Sequence, residues 1–202
     1  MRAAFRKPYL AVAVVSLIGL LAGCSASGEA TAFPVIPVKD AFVASAIDLP
    51  SSAPDFFGTD VVTGQSISLS QFKGQPVLLN FLDYGCSTTL NEVVSAQLRT
   101  IRDLQQLRHD FVSLSVFCGC CPPDVLRDFA LRNNLNWPWV LDSDYSIIRT
   151  YSAYMGDSGY PILVFIDKEG MVVSSSGAME IDGVSAGLDT AVAGPTRGDP
   201  SY

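Results

Sequence analysis

The sequence predicts an α/β fold, with a central mixed β-sheet flanked by helices and a small β-hairpin extension on its N-terminal side. Two apolar runs of about seven residues are typical of buried strands, and amphipathic helical patterns alternate with them. A strand–turn–strand pattern then comes near the end of the chain. A strand–helix–strand order implies parallel strands joined by a right-handed crossover, and the late hairpin is expected to add antiparallel edge strands.

Residues 1–23 are predicted to be a lipoprotein signal peptide. Three basic residues precede an apolar stretch at 9–23, which is shorter than the roughly 20 residues of a membrane-spanning helix. The stretch ends in Leu21-Ala22-Gly23-Cys24, which resembles a bacterial lipobox. That resemblance implies cleavage before Cys24, acylation of its sulfur and a lipid anchor outside the cytoplasm. An ordinary signal peptide or an uncleaved anchor is the alternative.

Composition limits the classes of partner. The chain has 202 residues, of which 49% are hydrophobic, so one domain with a real core is expected. Loss of residues 1–23 would remove three basic and no acidic residues, which leaves ten basic against twenty acidic ones. This acidic balance argues against nucleic acid and against polybasic attraction to lipid. Export would also place the cysteines where disulfides persist.

The predicted elements follow in order along the chain. Residues 24–53, rich in alanine, serine and proline, form a tether, 54–193 form the domain, and 194–202 form a flexible tail. A turn at Thr63-Gly64 and a strand at 66–69 open the domain. Strands are then predicted at 76–82, 111–117 and 139–141, helices at 87–107, 123–133 and 144–151, a hairpin at 162–167 and 171–174, and a last helix at 182–193.

Two long segments carry a family resemblance. APDF…FKGQPVLLNF places Asn80-Phe81 six and five residues before Cys86, and GYPILVFIDKEG places Pro161 before a strand and an I-D-x-x-G turn. Over residues 53–190 the chain resembles TlpA/ResA-type, membrane-anchored thioredoxin-like proteins and the related AhpC/TSA redoxins. The resemblance implies a thioredoxin-like fold and thiol–disulfide exchange without a cofactor. It also implies Cys86 as the nucleophile and a cis Pro161 facing it.

The chain departs from the family at the motif itself. Where these proteins carry Trp-Cys-x-x-Cys, this sequence has Gly85-Cys86-Ser87-Thr88-Thr89. Cys86 still stands at a strand-to-helix junction, where backbone N–H groups lower the pKa of a thiol and favour the nucleophilic thiolate. Thr89 can donate a hydrogen bond to that thiolate, but it cannot resolve a mixed disulfide. A buried, inert cysteine is the alternative.

A resolving thiol is therefore expected from Cys118, Cys120 or Cys121, which follow the second predicted strand. Adjacent parallel strands end at the same edge of a sheet about 4.8 Å apart, so this loop should begin close to Cys86. Cys120 is the first choice. The predicted partners are exported proteins with thiols or disulfides, and a membrane electron donor could recycle the enzyme. The direction of exchange stays open.

Other interpretations of the same four thiols stay open. They could form two static disulfides, or together bind Cu(I) or Zn(II) as a thiolate cluster. His109 is not expected to contribute, because it falls at the far end of the long predicted helix. A thiol peroxidase is the rival enzyme. However, Asp83 stands where peroxiredoxins usually carry threonine, and an ionised carboxylate there would raise the pKa of the thiol. Asp83 could instead pass a proton during exchange, or be a solvated acid.

Overall fold

The computed structural model describes residues 49, 51–83, 92–156 and 159–194. The strands are β1 Ser51–Ser52, β2 Phe57–Thr59, β3 Ser66–Ser68, β4 Val77–Asp83, β5 Val112–Cys118, β6 Trp139–Asp142, β7 Ile162–Ile166 and β8 Met171–Ser176. Six of them form one mixed sheet in the order β1-β8-β7-β4-β5-β6, while β2 and β3 form a separate hairpin. The helices are α1 Glu92–Leu107, α2 Pro123–Arg132, α3 Ser146–Thr150 and α4 Ile181–Ala193. The predicted mixed α/β fold is confirmed.

Several predictions fall outside the described residues. These are the signal peptide, Cys24, nearly all of the tether and the C-terminal tail after residue 194. The predicted first turns of the helix at 87–107 also lie outside, and α1 is described from Glu92. None of the described helices is long and apolar enough to cross a membrane.

The parallel strands β4, β5 and β6 form one half of the sheet. β4 is buried at every position except its last, which explains why its sequence is apolar on both faces. In the parallel register Asp83 lies opposite Cys118, and Cys118 lies opposite Asp142. The three strands therefore end side by side at one edge of the sheet, which we call the carboxyl edge.

The antiparallel strands form the other half. β7 pairs with β4, β8 pairs with β7, and β1 pairs with β8 through Ser51 opposite Val172. The expectation that the late hairpin supplies edge strands was wrong, because β7 is central and β1 covers β8. A strand of two residues is too short to show an alternating pattern in the sequence, so β1 could not be predicted.

The N-terminal hairpin is confirmed and is tied to the sheet by one buried carboxylate. The Asp60 side chain accepts hydrogen bonds from the backbone N–H groups of Val62 and Thr63 in the turn between β2 and β3. It also accepts the N–H of Trp139 at the start of β6, at 3.0 Å. One acid therefore shapes the turn and joins it to the main sheet.

Helices cover both faces of the sheet. α1, α2 and α4 pack on one face, and α3 with the 3₁₀ turn Ser152–Tyr154 packs on the other. Alternation along β4 divides its side chains between the two cores, with Leu78 and Leu82 towards α1 and with Leu79 and Phe81 towards α3. This places the carboxyl edge between two well-packed layers.

α3 is shorter than the predicted helix at 144–151. Asp142 accepts the N–H groups of Ile147 and Ile148 at 3.1 and 2.9 Å, so its carboxylate fixes where the helix begins. Tyr145 has φ +59°, a left-handed conformation that cannot belong to the helix. A side chain two residues outside the helical pattern thus sets the start of α3.

The packing of α4 on β7 gives a stability prediction. A methyl group at Gly187 would lie 2.5 Å from Phe165 Cζ, so Gly187→Ala should push α4 off the sheet and destabilise the protein by about 1–3 kcal/mol. Chemical denaturation measures this loss. Gly183→Ala in the same helix is the control, because its methyl group meets the flexible end of Met179 at 2.9 Å. Equal stability of both variants would contradict the packing described.

Candidate functional site

The candidate site lies at the carboxyl edge. Asp83 is the last described residue of β4 before the segment 84–91, which carries Cys86 and Thr89 and lies outside the described residues. Their predicted roles therefore stay predictions. Cys118, Cys120 and Cys121 lie within the described residues. Cys118 is the last residue of β5 and lies beside Asp83, and the other two cysteines come directly after this strand end.

Cys118 is fully buried in the core on the α3 side of the sheet. Burial and then the charges of Asp142 and Asp83 raise its pKa far above the usual range for a thiol. Its sulfur is in hydrogen-bonding contact with the Tyr160 hydroxyl. A buried, protonated thiol is a poor nucleophile, so Cys118 is unsuited to resolve a mixed disulfide. The alternation of Leu114, Val116 and Cys118 along the sequence already predicts that Cys118 is buried.

Gly119 separates this buried thiol from the next cysteine. Its φ is +127°, a conformation that side chains of L-residues rarely adopt, and its N–H donates to the Asp142 carbonyl at 3.2 Å. The chain turns out of the sheet at this point, so Cys120 is exposed. Cys121 is half-buried; burial and the nearby Asp124 and Cys120 charges raise its pKa. Its thiol donates to the carbonyl of Pro122 at 3.6 Å.

Asp83 and Tyr145 converge over Gly119. The position that a Cβ of residue 119 would take is 3.4 Å from the Tyr145 hydroxyl and 3.6 Å from Asp83 Oδ1. Desolvation raises the pKa of the half-buried Asp83 carboxyl, and the Asp83 charge is the largest cause that raises the pKa of Tyr145. Asp83 is therefore neither fully solvated nor paired with a basic group in the described part of the chain.

Sequence reasoning missed Tyr145. A bulky residue at φ +59° is uncommon, and such conformations cluster at functional sites. The conformation lets the tyrosine cap the loop that holds Cys120 while 39% of its surface stays exposed. No sequence pattern predicts a tyrosine whose backbone is in the left-handed conformation, so only the structure could identify it.

Pro161 also lies at the carboxyl edge. The Tyr160–Pro161 peptide bond is cis, which is the conformation that the family resemblance implies. Pro161 directly precedes β7, whose first residue Ile162 pairs with Phe81 near the end of β4. This proline and the cysteine loop are therefore brought to the same edge from opposite halves of the sheet.

His109 and the alternative metal site complete the comparison with the sequence predictions. His109 is exposed just after the end of α1, beside the start of β5 and so at the opposite edge, as predicted. The thiolate cluster has one member, Cys86, outside the described residues, and the residues that are described contain no group of three or more side chains able to hold a metal ion.

Comparisons with known proteins support the predicted fold and family. The AhpC/TSA family model matches residues 50–175. A search of curated protein sequences finds no significant match. Among solved structures, the exposed lipoprotein thioredoxin of Streptococcus pneumoniae is 26% identical, with a TM-score of 0.54 over 67% of this chain and 98% of that one.

Two further structures show the same fold. A thioredoxin family thiol:disulfide interchange protein from Chlorobium tepidum is 19% identical, with a TM-score of 0.58 over 72% of this chain and 99% of that one. A secreted disulfide oxidoreductase from Mycobacterium tuberculosis is 18% identical, with a TM-score of 0.52 over 66% and 94%. These two structures support the thioredoxin-like fold, and the family match supports an oxidoreductase. The chain belongs to the AhpC/TSA family.

Proposed function

We propose that this protein is an extracytoplasmic thiol–disulfide oxidoreductase of the TlpA/ResA type that acts on exported proteins. Cys86 is the nucleophile and Cys120 is the resolving thiol, supplied by the neighbouring strand instead of a Cys-x-x-Cys motif. The observation that carries the proposal is the register of β4 and β5, which sets Asp83 beside Cys118. The lipobox at Cys24 would anchor the enzyme to the membrane, and the likeness to an exposed lipoprotein thioredoxin supports that location.

Chain length keeps the two thiols within reach. Cys86 follows Asp83 by three residues, which span at most about 10 Å when extended. Adjacent strands are about 4.8 Å apart, and Cys120 is only two residues beyond Cys118. The Cα separation of roughly 4.4–6.8 Å that a disulfide needs therefore lies within the range of both loops.

Burial and local contacts favour Cys120 over its neighbours. Cys118 is buried and held protonated, so it would have to leave the core to react. Cys121 is half-buried, with its thiol directed to the Pro122 carbonyl. Cys120 is the exposed member of the three. Cys120 is therefore the thiol that can best reach a bulky mixed disulfide.

The reaction proceeds in two exchanges. The Cys86 thiolate attacks one sulfur of a substrate disulfide, which forms a mixed disulfide and releases the other sulfur as a thiolate that takes up a proton. Cys120 then loses its proton and attacks the Cys86 sulfur, which forms the Cys86–Cys120 disulfide and releases the second substrate thiol. Two electrons pass from the enzyme to the substrate, and a membrane electron donor restores both thiols. The reverse steps oxidise a substrate dithiol.

Asp83 is suited to hold the proton that moves in these steps. Its carboxyl lies over the Gly119 turn, one residue before Cys120, and its raised pKa brings it closer to neutral pH than an exposed aspartate. When ionised, the same carboxyl would oppose thiolate formation in peroxide reduction and in disulfide exchange alike, so it does not favour one reaction over the other.

Removal of the resolving thiol should trap the intermediate. With the detergent-solubilised full chain and a disulfide-containing peptide, Cys120→Ser should accumulate a mixed disulfide through Cys86 that mass spectrometry detects. The wild type and Cys118→Ser should not accumulate it, because both retain Cys120. If Cys118→Ser or Cys121→Ser traps the intermediate and Cys120→Ser does not, Cys120 is not the resolving thiol. If no variant with Cys86 reacts at all, the proposed function is wrong.

The Asp83 carboxyl should lower stability as pH rises. Its folded pKa is raised, so folding disfavours the ionised form, and the penalty grows between the unfolded pKa near 3.9 and the higher folded pKa. Asp83→Asn should therefore raise Tm at pH 7 and hardly at all at pH 3.5. Thermal unfolding at both pH values measures this, with the exposed Asp128→Asn as the surface-charge control. A stabilisation by Asp83→Asn that is equal at both pH values would refute the assignment.

A further inference from the structure

A groove of about 340 Å³ lies between α1 and the segment that joins β8 to α4. Its walls are mainly apolar, with Val93 and Ala96 on α1 and Met179 on the joining segment. Glu92 and Glu180 also line it, and so does Gln97 from α1. We call it the α1 groove.

Topology places the α1 groove at the carboxyl edge. β8 runs in the same direction as β4, and its last residue Ser176 pairs with Leu163, which in turn pairs with Asn80. The joining segment therefore leaves the sheet where β4 ends. α1 is described from Glu92, only six residues after Cys86. Six residues of extended chain span at most about 20 Å, so a polypeptide bound at Cys86 is long enough to reach this groove.

Gln97 gives the groove an unsatisfied hydrogen-bond donor. The residue is 2% exposed, and its Oε1 accepts the backbone N–H of Met179 at 2.8 Å. Its Nε2 has no hydrogen-bond partner within the described residues. A buried donor left without an acceptor costs about 1–3 kcal/mol. A carbonyl of a bound polypeptide would supply the missing acceptor.

Apolar and acidic groups surround the groove. Val93 is 51% exposed and Ile181, at the start of α4, is 41% exposed, so two large apolar side chains face solvent beside it. Glu92 is paired with Arg99 at 2.9 Å. Glu180 and Asp182 are exposed and form no ion pair with a described residue. The rim is therefore acidic and the interior apolar.

We propose that the α1 groove docks a segment of the substrate polypeptide in which an apolar residue stands next to a lysine or arginine. The apolar side chain packs between Val93 and Met179, a main-chain carbonyl accepts from Gln97, and the basic side chain pairs with Glu180. The proposal rests on the proposed function, because it makes the groove the part of the enzyme that selects which exported protein reaches Cys86.

The test separates docking from chemistry. Two labelled peptides, each with serine in place of its cysteine, carry the same apolar residue followed by lysine or by glutamate. Fluorescence anisotropy with the detergent-solubilised full chain should show the lysine peptide bound about three- to tenfold more tightly than the glutamate peptide. Glu180→Lys should abolish or reverse this preference, and Val93→Ser, which removes the apolar contact without adding a charge, should weaken binding of both peptides.

Glu169→Lys is the matched control. It reverses an exposed acid in the turn between β7 and β8, at the opposite edge of the sheet, and should keep the preference of the wild type. Equal binding of both peptides, or the same loss of preference in Glu169→Lys as in Glu180→Lys, would overturn the docking site. Reduction of a small disulfide by the wild-type chain tests the chemistry separately. If the wild-type chain reduces no small disulfide, the proposed function is refuted. The anisotropy measurement still decides whether the α1 groove binds the peptide.

Discussion

The parallel register of β4 and β5 is the constraint on which the rest of the structure depends. It makes two separate segments of the chain leave the sheet side by side, with Asp83 next to Cys118. A Cys-x-x-Cys motif obtains its pair of thiols from one helical turn. In this protein the sheet would instead bring the two thiols together, because a cysteine-containing segment follows the end of each strand. The hydrogen bonds between two buried strands are difficult to shift, so the ends of β4 and β5 are held side by side.

Three closely spaced cysteines have different environments because of one glycine. Cys118 continues the alternation of β5 into the core, whereas the positive φ of Gly119 directs Cys120 to the surface. The space beside Gly119 is bounded by Tyr145 and Asp83, which link the loop to α3 and to the end of β4. Burial therefore disfavours exchange at Cys118, while exposure is what the proposed role of Cys120 requires. The partial desolvation that raises the pKa of the Asp83 carboxyl is typical of acids at functional sites.

The elements that sequence patterns predicted are those with strong periodicity. β4, β5 and α4 were found nearly to the residue, because their apolar positions follow the period of a buried strand or an amphipathic helix. β1 was missed because its partner β8 decides its structure. The burial of Cys118 could have been predicted from alternation along β5. Tyr145 and the α1 groove could not, since they arise from a left-handed backbone and from contacts between segments distant in sequence.

Disulfide mapping by mass spectrometry can show whether Cys86 and Cys120 form a redox pair. The full chain would be purified without a metal chelator and digested under thiol-blocking conditions, after oxidation and again after mild reduction. We expect a reversible disulfide between Cys86 and Cys120, and Cys118 should be a free thiol in both samples. A thiol at Cys86 beside a Cys120–Cys121 bridge that resists mild reduction, or a reduced protein that retains bound metal, would contradict it.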